Sequence, residues 1–167
     1  SRRSSYATPV LAELAGVRQI LAVNEDAVTA HRADDGAVLW EHPWLGSSDT
    51  NASSSQPVPV GDDRVLLSKG YGEGAELIEI APDEAGRLTA STVWKNQAVL
   101  RTKMCNIVVR DGHAYGLNEG ILQCVDLAAG DSRWKKRRTP KFGHGQVMLV
   151  GDVLLVLSEL GEVILVE

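Results

Sequence analysis

The chain has a single phenylalanine and two methionines in 167 residues, and aromatic side chains make up only 5% of it. A core of this composition rests on aliphatic side chains and on wherever the four tryptophans are placed. Cysteine is also scarce. Cys105 is expected to open a first strand and Cys124 to lie in the third strand of the same repeat. With a strand between them, and neighbouring strands ~4.8 Å apart, their α-carbons stand too far apart for an undistorted bridge. Both read as reduced, partly buried, small apolar residues. No apolar run approaches the ~18 residues of a membrane helix, so no direct membrane span is read. Ser1-Arg2-Arg3-Ser4-Ser5 leads into no apolar stretch, which leaves no visible signal peptide. Cationic residues number 17 against 22 acidic ones, for a net charge of −5. That balance argues against a nucleic-acid partner and suits a soluble domain.

Catalytic constellations are missing as well. His31, His42, His113 and His144 share no metal-ligand spacing. Gly70-Tyr71-Gly72-Glu73-Gly74 is glycine-rich, but neither a helix nor a Lys-Ser/Thr pair follows it, so it is not a phosphate loop. Asp34-Asp35 and Asp62-Asp63 sit in turns. No catalytic, cofactor-binding or metal-ligating residue is assigned.

What the chain does contain is one β-pattern written three times, then a fourth time in part. First strands open at Thr8-Pro9-Val10, Gln56-Pro57-Val58, Cys105-Asn106-Ile107 and Gly145-Gln146-Val147, with third residues 48, 49 and 40 positions apart. Turns follow at Ala15-Gly16, Asp62-Asp63, Asp111-Gly112 and Gly151-Asp152, residue types that tolerate positive φ in hairpins. Second strands read 19–23, 65–68, 114–117 and 154–157. Third strands read 28–32, 76–80, 121–126 and 163–167. Fourth strands carry Trp40, Trp94 and Trp134. Residues 46–55 read as a polar connection between repeats. Leu11-Ala12-Glu13-Leu14-Ala15 has helical propensity, which its place in the repeat overrides. Four short strands repeating about every 40 residues are the period of a β-propeller blade. The expected fold is all-β: one partial propeller over 1–167 built of four-stranded antiparallel blades, three whole and three strands of a fourth. The blades fall at about 6–44, 54–97, 103–138 and 142–167.

The anchors carry a family resemblance. Ala30-His31-Arg32-Ala33-Asp34-Asp35-Gly36, three residues, then Trp40, and Cys124-Val125-Asp126-Leu127-Ala128-Ala129-Gly130, three residues, then Trp134, resemble the tryptophan-docking motif of the PQQ-like propeller repeat. In the second repeat the turn is enlarged, and Gly86 stands eight positions before Trp94 rather than four. Quinoprotein alcohol dehydrogenases and the propeller lipoprotein of the β-barrel assembly machinery share this repeat. The stretch from Lys103-Met104-Cys105-Asn106 to Gly143-His144-Gly145-Gln146 also resembles exported repeat proteins of planctomycete-type bacteria. The resemblance implies that Trp40, Trp94 and Trp134, with Gly36 and Gly130, join blade to blade. It further implies a bacterial parent that is longer on both sides, closed by about seven or eight blades, and periplasmic or otherwise exported.

Functionally the expectation is a non-catalytic scaffold or binding module that presents loops to a protein or a small polar ligand. The alternative is a piece of a PQQ-dependent oxidoreductase whose active site lies in other blades. In that class the quinone is sandwiched by a tryptophan and a disulfide of adjacent cysteines and polarised by calcium. No adjacent cysteines occur here, so neither cofactor is assigned. A candidate ligand mouth gathers Tyr6, Arg101, Lys103 and His144 on the face where loops enter the first strands; Arg101, Lys103 and His144 there could accept an anion. Arg133 to Arg138 form the one basic cluster, on an outer strand. It reads as charge guarding an exposed edge, with attachment to a phosphate-bearing surface as the competitor. A partial ring exposes two apolar blade faces, which missing blades of the parent or a second copy would cover; two copies hold about seven and a half blades.

Overall fold

The computed structural model describes residues 5–45 and 52–167, so the connection read over 46–55 lies largely outside the described residues. Fifteen strands form four antiparallel sheets, and no helix occurs among the described residues. The first sheet holds β1 (Val10–Leu14), β2 (Val17–Val23), β3 (Ala27–Arg32) and β4 (Val38–Pro43). The second holds β5 (Val58–Val60), β6 (Arg64–Lys69), β7 (Gly74–Pro82) and β8 (Leu88–Asn96). The third holds β9 (Val108–Arg110), β10 (His113–Asn118), β11 (Ile121–Asp126) and β12 (Ser132–Lys136). The fourth holds β13 (Gln146–Val150), β14 (Val153–Leu157) and β15 (Val163–Val166). Within each sheet the strands follow chain order. The innermost strands β1, β5, β9 and β13 touch in succession, which is the arrangement of propeller blades around an axis.

The repeated sequence produces this arrangement because central strands of the interior sheets carry apolar residues on both faces. In β6, Val65 and Leu67 enter the core shared with the first sheet, while Leu66 enters the core shared with the third. A strand buried on both sides reads as a continuous apolar run, and such a sheet needs a neighbour on each face. The first hairpin turn of the first and third repeats uses the residues expected. Ala15 and Gly16 take φ of 50° and 72°, and Asp111 and Gly112 take 47° and 74°. In the second repeat the left-handed residue is Gly61 rather than the aspartates after it.

One feature of the outer strands was not legible in the sequence. Each complete sheet carries a β-bulge one residue before its tryptophan. Trp40 pairs with Ala30 but Val38 with His31; Trp94 pairs with Leu77 but Thr92 with Ile78; Trp134 pairs with Cys124 but Ser132 with Val125. A bulge locally re-aims the strand, and here it sets the direction of each indole.

The three indoles then meet different surroundings. Trp94 spans the second and third sheets: its Nε1 donates to the Leu127 carbonyl at 2.7 Å, and Asn96 Nδ2 donates to the Gly130 carbonyl at 2.9 Å. A Cβ at Gly130 would lie 2.6 Å from Cδ2 of Trp94, so this seat requires glycine, whose φ is +73°. Trp40 is buried among residues of the first and second sheets. Its Nε1 donates to Gln19 Oε1 at 2.7 Å, within its own sheet. In the enlarged turn of the second sheet no atom lies within 4 Å of a Cβ placed at Gly86, so the Trp40 ring does not rest on that glycine. Gly36 makes the same turn as Gly130, and no atom lies within 4 Å of a Cβ placed there, so no indole rests on it. Trp134 is 39% exposed. Its ring lies against Tyr115 of its own sheet, at 6.0 Å between centroids. The three indoles thus differ: Trp94 is seated on the next sheet, Trp40 is buried between two sheets and bonded within its own, and Trp134 is half-open.

Cys105 and Cys124 are both free and buried. Burial pushes the Cys105 thiol up to about 11, which keeps it protonated and unreactive at neutral pH. The tryptophan differences have a measurable consequence. Trp94→Ala is expected to cost ~3 kcal/mol of unfolding free energy in urea, against ~1 kcal/mol for Trp134→Ala. Equal losses at the two positions would contradict the difference in their seats.

Candidate binding mouth

The residues entering the innermost strands are laced together across successive blades. Tyr6 N donates to the Ser53 carbonyl at 2.9 Å. Met104 N donates to Ser54 Oγ at 3.0 Å, and Gln56 N donates to Asn106 Oδ1 at 3.0 Å. Ser55 Oγ reaches both the Cys105 carbonyl at 2.8 Å and Thr102 Oγ1 at 2.6 Å. Gln146 Nε2 donates to the Met104 carbonyl, which ties in the fourth sheet. Ser55 and Thr102 are buried here with partners in each other and in the adjacent blade, whereas the buried Ser53 Oγ has no hydrogen-bond partner among the described residues.

On this lacing sits a cleft of about 340 Å³ lined by Tyr6, Ala52, Ser54, Tyr71 and Met104. Tyr6 and Met104 are largely exposed, at 83% and 65%. Tyr71 and Met104 hold φ of 57° and 56°. Left-handed backbone costs a side-chain-bearing residue on the order of 1–3 kcal/mol and gathers at ligand sites. Lys103 stands over the Tyr71 ring, with Nζ 4.8 Å from its centroid, and pairs with Glu119 at 3.7 Å. Its stem crosses Gly70 so closely that a Cβ there would lie 2.3 Å from Lys103 Cγ. A mouth of two phenols, a thioether and a hydroxyl, with an ammonium at its edge, suits a flat or aromatic group carrying a polar end.

Of the four residues read from the sequence, Tyr6 lines this cleft and Lys103 adjoins it through Tyr71. Arg101 is turned away, with Nε donating to the Gln97 carbonyl at 2.7 Å. His144 is exposed on the fourth sheet's entry, where its backbone N donates to Glu159 Oε2 at 3.2 Å. Because Glu119 answers the Lys103 charge, the cations do not converge on one point. Sequence reasoning missed Tyr71 and Met104. The flanking glycines of Gly70-Tyr71-Gly72 were the available signal, since such flanks let a side chain be carried on a tight turn.

A second polar constellation lies buried between the first and second sheets. His42 Nε2 meets Glu76 Oε1 at 2.8 Å, Thr92 Oγ1 donates to the same oxygen at 2.6 Å, and Lys95 Nζ lies 3.5 Å from Glu76 Oε2. Lys95 also covers the buried Trp44 ring at 5.2 Å. Nearby, the buried Lys69 donates to the Glu25 carbonyl at 3.3 Å. Burial pushes the Lys69 ammonium down, and Glu73 and Glu25 partly offset this. Burial pushes the Glu76 carboxyl up, but the His42 and Thr92 hydrogen bonds and the nearby positive charge outweigh it and hold it below its ordinary value. His42 is thus buried and hydrogen-bonded to a carboxylate of the neighbouring sheet. No group of three or more metal-ligating side chains gathers among the described residues.

Comparison with known proteins decides the family. A family model described as "Outer membrane protein assembly factor BamB" matches residues 2–136. The chain belongs to the PQQ-like β-propeller family. Among solved structures it is similar to BamB from Moraxella catarrhalis, at 14% identity and a TM-score of 0.60, covering 95% of this chain and 53% of that one. It thus spans about half the length of that relative. It is similar to the computationally designed Ika4 protein at 11% identity and a TM-score of 0.62, covering 99% of this chain and 94% of the other. The designed Ika8 protein aligns at 9% identity and a TM-score of 0.58, covering 93% of this chain and 44% of that one. At these identities the structural matches speak to fold. No curated protein matches the chain by sequence.

Within this family fold, the Glu76 carboxylate links two blades through its hydrogen bond with His42 and pairs with Lys95 in its own sheet. A carboxyl whose folded pKa is depressed stabilises the protein above its unfolded value, near 4.5 here, and loses that contribution as pH falls through the folded value. Glu76→Gln is expected to lower stability at pH 7 by about 3 kcal/mol. The gap to wild type should narrow as pH drops below 4.5. Urea titrations at several pH values measure this, and a gap that stays constant with pH would contradict it.

Proposed function

We propose that this single propeller unit is a non-catalytic binding module that serves the assembly of other proteins in an exported compartment. A protein segment or small polar ligand would enter the Tyr6–Ser54–Tyr71–Met104 cleft. The observation that carries this reading is the cleft itself: exposed aromatic and thioether groups, two of them on left-handed backbone, fixed by hydrogen bonds across blades. The family description, an assembly factor for outer membrane proteins, supports a protein partner and an exported setting. The oxidoreductase alternative draws no support from the two cysteines, which are free and stand in different elements rather than side by side. Blade-to-blade docking by Trp94 serves this module by holding the loop-bearing sheets in register.

The outer faces belong to the same reading. Met148, Val150, Leu157, Val163 and Leu165 are exposed on the fourth sheet, and Leu11, Ile20 and Val38 on the first. Further blades of a longer chain fit these faces, and so does a second copy. The relatives that this chain covers by 53% and 44% are about twice its length, as two copies would be.

One titration tests the module. N-acetyltryptophanamide, added to the protein and followed by NMR, should shift the Met104 methyl and Ala52 signals saturably. Tyr71→Ala should weaken that response about tenfold, the scale of one lost aromatic contact. Light scattering on the same sample should give a dimer mass. An unperturbed Met104 methyl up to the solubility limit would overturn the mouth. A monomer at every concentration would overturn self-completion of the ring.

A further inference from the structure

The outer strand of the third sheet carries a charge pattern that neither the fold nor the mouth uses. β12 is the edge strand of its sheet, and all five of its residues are exposed. Five of the six residues from 133 to 138 are cationic, in a chain of net charge −5. Two of the five are occupied. Arg133 donates to Asp126 Oδ2 through Nε, at 3.2 Å, and through its second guanidinium nitrogen. Arg138 pairs with Glu162 at 2.7 Å and lies over the Phe142 ring. Lys135, Lys136 and Arg137 are exposed and form no ion pair among the described residues. The corresponding edges differ. On β4 the charged residue is Glu41, and on β8 Lys95 is held by Glu76.

Beside these cations stands the half-exposed Trp134, on the rim of a cleft of about 300 Å³ lined by Tyr115, Leu149, Leu154 and Val166 and, at its mouth, by Glu167 and the Arg110–Asp111–Asp152 ion pairs. Alternation along the strand puts Trp134 and Lys136 on one face of the sheet and Lys135 on the other. The edge therefore offers unpaired backbone groups, positive charge on both sides and, in line with one side, a hollow that is part apolar and part acidic, which admits an apolar side chain and repels a carboxylate.

We propose that the β12 edge receives an acidic, extended segment of a partner protein, which adds to the sheet as a further strand. Strand addition draws affinity from backbone hydrogen bonds and selects its ligand through alternate side chains. Here acidic side chains would meet Lys135, Lys136 and Arg137, and one apolar side chain would enter the Trp134 cleft. A lipid surface fits less well, because three free cations without an inserting apolar segment supply only one of the two signals that stable attachment needs. This edge belongs to the outermost strand, whereas the mouth precedes the innermost ones, so the proposal does not depend on the mouth.

The probe is a capped hexapeptide of five glutamates with one valine at its third position, which carries acid on both faces of a strand, compared with its counterpart bearing glutamine for every glutamate and with vesicles containing phosphatidylserine. NMR should show the acidic peptide shifting the Trp134 indole N–H and slowing exchange of β12 amides. The neutral peptide should bind about tenfold more weakly. The triple change Lys135→Gln, Lys136→Gln, Arg137→Gln should cost about tenfold, at roughly a factor of two per exposed pair. Raising salt should weaken binding severalfold. These side chains are exposed, so the variant keeps its fold, which circular dichroism checks. Equal binding of the two peptides, or response to vesicles alone, would overturn the proposal. So would a triple variant that self-associates while wild type ignores the acidic peptide, since the cations would then only guard the edge.

Discussion

Two-faced burial of each sheet is the constraint on which the rest depends. Strands such as β6 send successive residues into opposite cores, so the interior sheets cannot satisfy themselves with one neighbour. Sideways stacking around an axis satisfies all interior sheets at once. It also leaves the two outermost faces with apolar residues in solvent, which is why Met148, Val163 and Leu165 remain exposed. The outward faces and the loop mouth are two consequences of one packing rule.

Polar groups then fix the register of the stack. Apolar faces slide, but the Trp94–Leu127 and Asn96–Gly130 bonds, the His42–Glu76 pair and the serine–threonine lacing each have one geometry. Gly130 shows how narrow that geometry is, since the ring occupies the space a side chain would take. The bulge before each tryptophan is part of the same device, turning the indole toward the next sheet. The Trp40 indole bonds within its own sheet instead.

Much of this was legible in the chain. The anchors at Val10, Val58, Ile107 and Val147, and the glycine–tryptophan spacing, gave the order and kind of the strands because apolar runs and turn residues are local signals. Partnerships between blades were not legible. His42 and Glu76 lie far apart in sequence, with nothing in either neighbourhood to announce the pair. Trp134 carries the same local motif as Trp40, yet it is half-exposed where Trp40 is buried. The mouth was half legible: alignment put Tyr6 and Lys103 on one face, but the conformation of Tyr71 and Met104 and the neutralising Glu119 appear only in three dimensions.

The loops are held by joints of hydrogen-bonded indoles and buried polar groups. The most direct test of the stacking account is hydrogen exchange at the indole N–H groups, followed by NMR in the native protein. The Trp94 and Trp40 protons should exchange far more slowly than that of Trp134, because the first two are hydrogen-bonded between or within sheets. Exchange of the Trp94 proton as fast as that of Trp134 would contradict the seat on which the stacked-blade account rests.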